Sequence, residues 1–398
     1  MKKFLSLTVA IVMLFSMSIV TYAEGSVSNE IDPNKEIQLS LNDAIDYALK
    51  HSRDVKIQDL EMKAAQLKYE QSRSGARDIK DQIEEYNNLP DDIRGEIREE
   101  VIPIIESELV ELGVIDRQAK LTRQISVWNK EIKENEIKYN VEKAYFDLLQ
   151  SEIDMEIARE GLELANKQYE QSKKMYELGS ISHQQLLSVE LAVSQAQSGL
   201  DMAIMGYELQ RMSFNNTLGL SLGQKVKLTD KIEYKTHEDI ELEKAIEVAN
   251  ENSAMLKAAK ESFELSELTL KAVKAKHVTP NQYKYREQEI AVEQAAKNLD
   301  TTKNGVEMAV RSAYHSLITA EKQIKTYEKA VENAQKAYEL TELSYSLGQN
   351  TSNDVTKARI DLMDAKKSLT KQIHAYNLAL LDFKYAIGLG KNTIGGGF

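Results

Sequence analysis

Two stretches of this sequence match one another and decide its fold: YELGSISHQQLLSVELAVSQAQ at 176–197 and YSLGQNTSNDVTKARIDLMDAK at 345–366. Both begin with Tyr-x-Leu-Gly, and they stand 169 residues apart (345 against 176). The same offset places AYFDLL at 144–149 on AYHSLI at 313–318. One offset held over so long a span indicates an internal duplication.

The duplication continues upstream at a different offset. LSLNDAIDYALKHS at 39–52 matches IELEKAIEVANENS at 240–253, 201 residues later. The first copy therefore carries 32 additional residues (201 − 169) between these two blocks. We expect this extra segment at about 75–125, where the sequence becomes acidic and contains Pro90 and Pro103.

Helical periodicity surrounds both matching stretches. Apolar and small residues recur in steps of three and four, which is the period of a coiled coil. The pattern predicts a long helix over about 120–177 that ends where Gly179 takes the left-handed conformation. Ser182 is then expected to cap the returning helix. Each match is therefore predicted to be a tight hairpin tip.

The first 23 residues, MKKFLSLTVAIVMLFSMSIVTYA, have the features of a secretory signal peptide cleaved after Ala23. A retained anchor helix is the alternative interpretation. No other stretch is apolar enough to span a bilayer as a helix. We divide the rest into a first repeat (24–230), a second repeat (231–390) and a flexible tail (391–398).

Composition argues against several functional classes. The formal net charge of −12 makes nucleic acid an improbable partner, and the chain has no cysteine. The six histidines lack partners at metal-ligand spacing. LGLSLGQK at 218–225 lacks the spacing and the ending of a phosphate-binding loop. We therefore predict no catalytic residues, no metal and no cofactor, and a protein that is not an enzyme.

Two copies of short helix, long helix, tip and returning helix resemble the TolC family of outer-membrane efflux and secretion proteins. The resemblance covers about 39–390 and rests on the paired LSLNDAIDYAL, AYFDLL, Tyr-x-Leu-Gly and LGL segments. It implies an all-α fold of duplicated long helical hairpins, forming a coiled-coil bundle or a trimeric α-barrel with little or no β structure. It also implies a homotrimer that works with a periplasmic-adaptor-like protein and an inner-membrane transporter.

The family's membrane β-hairpins are not evident in this sequence. KAKHVTPNQYKYREQEIAVEQ in the second copy leaves no room for one. The extra segment of the first copy is long enough, but its charges have helix-like spacing and would be costly facing lipid. We therefore predict a variant that lacks the membrane β-barrel hairpins, with short helices and a loop at 75–125 and no direct membrane span after signal removal.

The resemblance also assigns roles to the tips. Adaptor docking is implied for both tips, at Tyr176, Leu178, Gly179, Ser180, Ile181, Ser182, Tyr345, Leu347, Gly348, Gln349, Asn350 and Thr351. Asp354 and Lys357 stand six and nine residues after the second tip glycine, where the family's acidic constriction has two aspartates. Gln185 and Asn350 stand at the positions of its charged lock. Gln185, Asp354 and Lys357 are therefore candidates for a lumen or gate.

Two functions remain open at this point. The first is a non-catalytic helical exit duct of an efflux or secretion system, located in the cell envelope and docked through its tips to an adaptor or pump. The second is an exported helical scaffold or interaction protein of the envelope that forms no channel. A stable trimer would favour the first, and a monomer or a closed four-helix bundle the second.

Overall fold

The computed structural model describes residues 36–90, 104–231, 234, 240–276 and 282–388. The signal peptide predicted at 1–23, the tail predicted at 391–398, and residues 91–103 of the extra segment lie outside the described residues.

Nine helices and two short strands make up the described part of the chain. In chain order they are β1 (Ile37–Leu39), α1 (Leu41–His51), α2 (Arg53–Asn87), α3 (Ile104–Glu111), α4 (Val114–Glu177), α5 (His183–Leu218), β2 (Val226–Leu228), α6 (Leu242–Asn252), α7 (Ala254–Lys276), α8 (Tyr283–Ser346) and α9 (Ser352–Ala386). The all-α prediction is confirmed. The first long helix begins at Val114, six residues before the predicted start at 120.

The duplication is visible in the lengths of the helices. The long helices α4 and α8 both have 64 residues, and the returning helices α5 and α9 have 36 and 35. The copies differ in α2, which has 35 residues where α7 has 23, and in the chain between α2 and α4. That chain contains the short helix α3, which packs against α7 and α2.

The four longest helices pack in the order α5, α4, α9, α8. Each long helix packs along its own returning helix, and α4 of the first copy also packs against α9 of the second. At the other end α2 packs on α4, and α7 packs on α8 and α4. The apolar seams predicted from the sequence supply these contacts, with Leu148 and Leu317 fully buried at equivalent positions of α4 and α8. As a result, α5 and α8 lie on the outer sides of this row.

A two-stranded parallel sheet joins the start of the first copy to its end. Residues Ile37 to Leu39 of β1 pair with Val226 to Leu228 of β2. The fully buried Tyr145 of α4 donates its hydroxyl to the Leu39 carbonyl at 3.1 Å and to Asp230 Oδ2 at 2.8 Å. Burial and the Asp230 carboxylate raise the pKa of Tyr145, so its hydroxyl remains a donor. The side chain therefore fixes both strands to the long helix.

Candidate functional site at the hairpin tips

Each tip ends its long helix with a left-handed glycine. Gly179 has φ +72° and Gly348 has φ +75°, as predicted from the sequence. The Gly179 N–H donates to the Tyr176 carbonyl at 2.9 Å, and the Ser180 N–H donates to the Met175 carbonyl at 2.8 Å. These bonds satisfy carbonyl groups that the end of a helix leaves free.

Each returning helix then begins with a reciprocal cap. The Ser182 hydroxyl accepts from the Gln185 N–H at 3.3 Å, and Gln185 Oε1 accepts from the Ser182 N–H at 2.9 Å. Thr351 and Asp354 make the same pair of bonds at 3.3 and 2.9 Å. The predicted cap at Ser182 is confirmed, and the arrangement is a capping box. Five residues therefore suffice to reverse the chain at each tip.

The two tip tyrosines occupy different environments. Tyr345 is 2% exposed, and its hydroxyl lies 2.8 Å from Ser172 Oγ of α4. Tyr176 is 41% exposed and rests against the ring of His183, with 5.5 Å between the ring centroids. Tyr345 thus joins the two hairpins to each other, and only Tyr176 has a ring surface free for a partner.

Two leucines are the most exposed apolar side chains at the tips. Leu178 is 81% exposed and Leu347 is 66% exposed, and each directly precedes the left-handed glycine of its tip. The neighbouring tip residues are also at the surface: Ser180, Ser182, Gln349 and Thr351 are exposed, and Ile181 and Asn350 are half-buried. The tips therefore present one leucine each, surrounded by small polar residues.

The candidate gate residues are partly used within the fold. Gln185 and Asp354 each supply the side chain of a capping box. Hydrogen bonds from the Thr351 hydroxyl and N–H lower the pKa of Asp354, so this carboxylate stays ionised at neutral pH. Lys357 is exposed three residues further along α9, on the same helix face. The structure thus brings Asp354 and Lys357 together, while Gln185 stands on the other hairpin.

Some residues that hold the two tips together were not identified from the sequence. Gln168 of α4 donates to the Ser352 carbonyl at 2.8 Å, and Lys167 pairs with Glu342 at 2.8 Å. A signal did exist for Gln168, because the second copy has Ala337 at the equivalent position. A polar side chain in only one copy indicates a contact that the other copy does not make.

Several solved channels share this architecture. The Campylobacter jejuni CmeC outer membrane channel aligns with a TM-score of 0.66 at 13% identity, over 88% of this chain and 86% of that one. The Vibrio cholerae outer membrane protein VceC aligns with a TM-score of 0.60 at 14% identity, over 88% and 97%. The open-state Neisseria gonorrhoeae MtrE outer membrane channel aligns with a TM-score of 0.57 at 14% identity, over 89% and 91%. At these identities the likeness establishes the fold.

Sequence similarity is confined to the second copy. No curated protein matches this chain. Residues 280–388, which contain α8, the second tip and α9, match the family model described as outer membrane efflux protein. The resemblance to the TolC family is confirmed. The TolC-like fold here contains, among the described residues, no helix with the length and apolarity needed to cross a membrane.

Proposed function

We propose that three copies of this chain assemble into a helical duct that conducts solutes or peptides through the cell envelope. The second copy supplies an outer membrane efflux protein domain, and the fold is that of solved outer membrane channels. The protein's part in transport is passage and docking, with no chemical step. The observation that carries the proposal is an unpartnered helix face on each outer side of the chain.

The unpartnered face of α5 is apolar at coiled-coil spacing. Six large side chains on this helix are 38% to 63% exposed, namely Leu187, Leu191, Met202, Met205, Leu209 and Met212. The second copy shows what this face does when it is covered. Leu381 of α9, equivalent to Met212, is 3% exposed, whereas Met212 is 38% exposed. Covering the α5 face with a second copy of the chain would complete the same burial.

A matching surface lies on α8. Met308 is 70% exposed, and a groove of about 690 Å³ follows the same helix. Its α8 lining is made of small side chains, among them Thr302, Gly305, Ala309, Ser312 and Ser316. Small residues let a neighbouring helix approach closely, and long Met and Leu side chains fill such a surface well. We therefore place α5 of one copy on α8 of the next.

The tips are proposed to dock the duct to a periplasmic-adaptor-like protein or an inner-membrane transporter. Leu178 and Leu347 are suited to this because exposed leucines on a rigid turn bury apolar area without ordering the backbone. The turns are rigid because each has a left-handed glycine and a capping box. Tyr176, Ser180 and Gln349 would form the polar rim.

A charge substitution at the tips tests the docking role. Leu178→Asp with Leu347→Asp should abolish transport in an export assay and adaptor capture in crosslinking, while helix content and native mass stay unchanged. Leu222→Asp is the matched control, because Leu222 is 55% exposed and lies away from the tips. Transport that survives the double substitution would remove the tips as the docking surface. A wild-type protein that is monomeric at all concentrations would instead support the scaffold function.

A further inference from the structure

The contact between the two copies within one chain has a consistent charge polarity. Lys366 of α9 bonds Glu160 of α4 at 2.5 Å, and Lys384 bonds Glu142 at 3.0 Å. His374 bonds Asp147 at 2.8 Å. Across this internal joint α9 supplies the basic groups and α4 supplies the acidic groups.

Arg359 extends this polarity toward the tips. It is 6% exposed and donates through Nη1 to the Gly161 carbonyl at 3.1 Å, next to Glu160 along α4. Its pairing also sets the register: Arg359 lies opposite Gly161 near the tips, and Lys384 lies opposite Glu142 far from them. The two helices are therefore antiparallel, and each α9 residue has a defined partner on α4.

The duplication carries this register to the joint between chains. Shifting by 169 residues turns α9 into α5 and α4 into α8. The α5 residues at the joint positions are then Glu190, Gln197, Asp201, Met205 and Asn215. The facing α8 residues are Arg311, Ser316, Thr319, Lys329 and Ala330.

The polarity at these positions is reversed. Each joint-facing base of α9 is replaced on α5 by an acid or a neutral residue, as in Arg359 to Glu190 and Lys366 to Gln197. Each joint-facing acid of α4 is replaced on α8 by a base or a neutral residue, as in Glu160 to Lys329 and Glu142 to Arg311. Opposite charges still face one another, because both sides change sign together.

We propose that this reversal determines which helices can pair between copies, so that α5 of one chain accepts only α8 of a second copy. The inference rests on the proposed duct, whose wall needs that contact. Pairing α9 with α8 of another chain would bring Lys366 near Lys329. Pairing α5 with α4 of another chain would bring Glu190 near Glu160. Each mismatch sets like charges against one another, which is how specificity against wrong partners is achieved.

The reversal also excludes symmetric dimers. An α5–α5 contact would oppose Glu190 and Asp201 to their own copies, and an α8–α8 contact would oppose Arg311 and Lys329 to theirs. Only a head-to-tail contact pairs acid with base. Head-to-tail contacts that close generate rings, whereas self-complementary ones generate dimers. The charge pattern therefore directs assembly toward a closed wall.

A charge-exchange experiment tests the inference. Glu190 and Lys329 are exposed, and the lysine's present partner is Glu332 on its own helix. Native mass against concentration should show Glu190→Lys shifting the midpoint of assembly upward by about tenfold, equivalent to ~1.4 kcal/mol. Lys329→Glu should do the same. The variant that carries both substitutions should return close to the wild-type midpoint, because opposite charges again face one another.

Controls separate this inference from the proposed function. Glu61→Lys, at an exposed position of α2, makes the same charge change away from the joint and should leave the midpoint unchanged. A wild-type protein that assembles, with Glu190→Lys assembling equally well, would overturn the charge selection and leave the duct standing. Failure of the double variant to recover would also overturn it. A monomeric wild type would refute the duct itself.

Discussion

At the scale of single residues, glycine and two tyrosines show how far the repeat determines local structure. Gly179 and Gly348 adopt the same left-handed conformation, since φ near +70° is open to glycine and strained for other residues. Tyr176 and Tyr345 are also equivalent in sequence, but one is exposed and the other is buried against Ser172. Backbone geometry is therefore local here, whereas burial depends on the neighbouring hairpin.

Substituting the tip glycines should reveal that backbone strain alone. No atom lies within 4 Å of the Cβ that Gly179→Ala or Gly348→Ala would add, so the left-handed backbone is the whole cost, about 1–2 kcal/mol at each site. Gly75→Ala in α2 also meets open space but has a helical backbone, and it should stabilise by about 0.5–1 kcal/mol. Urea unfolding measures both. Equal effects at the tips and at Gly75 would contradict the left-handed assignment.

At the scale of the elements, the α4–α9 contact should give the fold an acid-sensitive component. Burial alone would raise the pKa of Asp147, but hydrogen bonds from His374 and Lys143 outweigh it and hold the pKa below its ordinary value. A carboxyl whose pKa is lower in the folded state stabilises the fold above the unfolded pKa, and this contribution is lost as pH falls through the folded value. In urea melts from about pH 6 downward, Asp147→Asn should be less stable at neutral pH and lose less stability below about pH 4.

Glu152 provides the opposite case on the same helix. Burial and the neighbouring Glu156 raise the pKa of Glu152, so its charged form is disfavoured in the fold. Its penalty is present above the raised pKa and disappears as the group protonates. Glu152→Gln should therefore increase stability at neutral pH and have little effect near pH 4 in the same melts. Parallel pH profiles for the Asp147 and Glu152 variants would show that the α4–α9 contact does not set the acid response.

The short sheet is held by one buried side chain, Tyr145. Tyr145→Phe removes the donor to Leu39 and Asp230 and leaves acceptors in a buried setting, which costs about 1–3 kcal/mol. Tyr139→Phe is a milder control, because the hydrogen bond from Tyr139 to Asp382 is exposed. Hydrogen exchange should show the loss concentrated in β1, β2 and the start of α1, where Asp230 also accepts from the Leu41 N–H. Uniform loss along α4 would argue against this local role.

At the scale of the whole molecule, the open α5 face predicts that assembly and folding can be separated. Leu209→Ser with Met212→Ser should convert assembled protein to monomer without lowering the unfolding midpoint of that monomer, because Leu209 is 60% exposed within a single chain. Leu60→Ser in α2, at a position 64% exposed, is the control and should leave the mass unchanged. Native mass and thermal melts give both readouts. A variant that assembles normally would place the contact elsewhere.

The sequence alone determined the features that repeat or that depend on local geometry. The duplication, the long helices, the left-handed Gly179 and the Ser182 cap follow from a fixed offset, a period and the conformational range of single residues. The family resemblance followed from the order of those features. The copies reinforce one another, so each prediction was made twice from independent residues.

Only the tertiary structure decided which faces of these helices are covered. The α4–α9 joint, the buried Tyr345 and Arg359, and the parallel pairing of β1 with β2 all join residues far apart in the chain, and hydrophobic periodicity does not say which helix fills which seam. Met212 and Leu381 have equivalent places in the repeat and similar hydrophobicity, yet one is open and the other is covered. Their difference arises because a single chain has one internal joint, between α4 and α9, and leaves the equivalent faces of α5 and α8 without a partner.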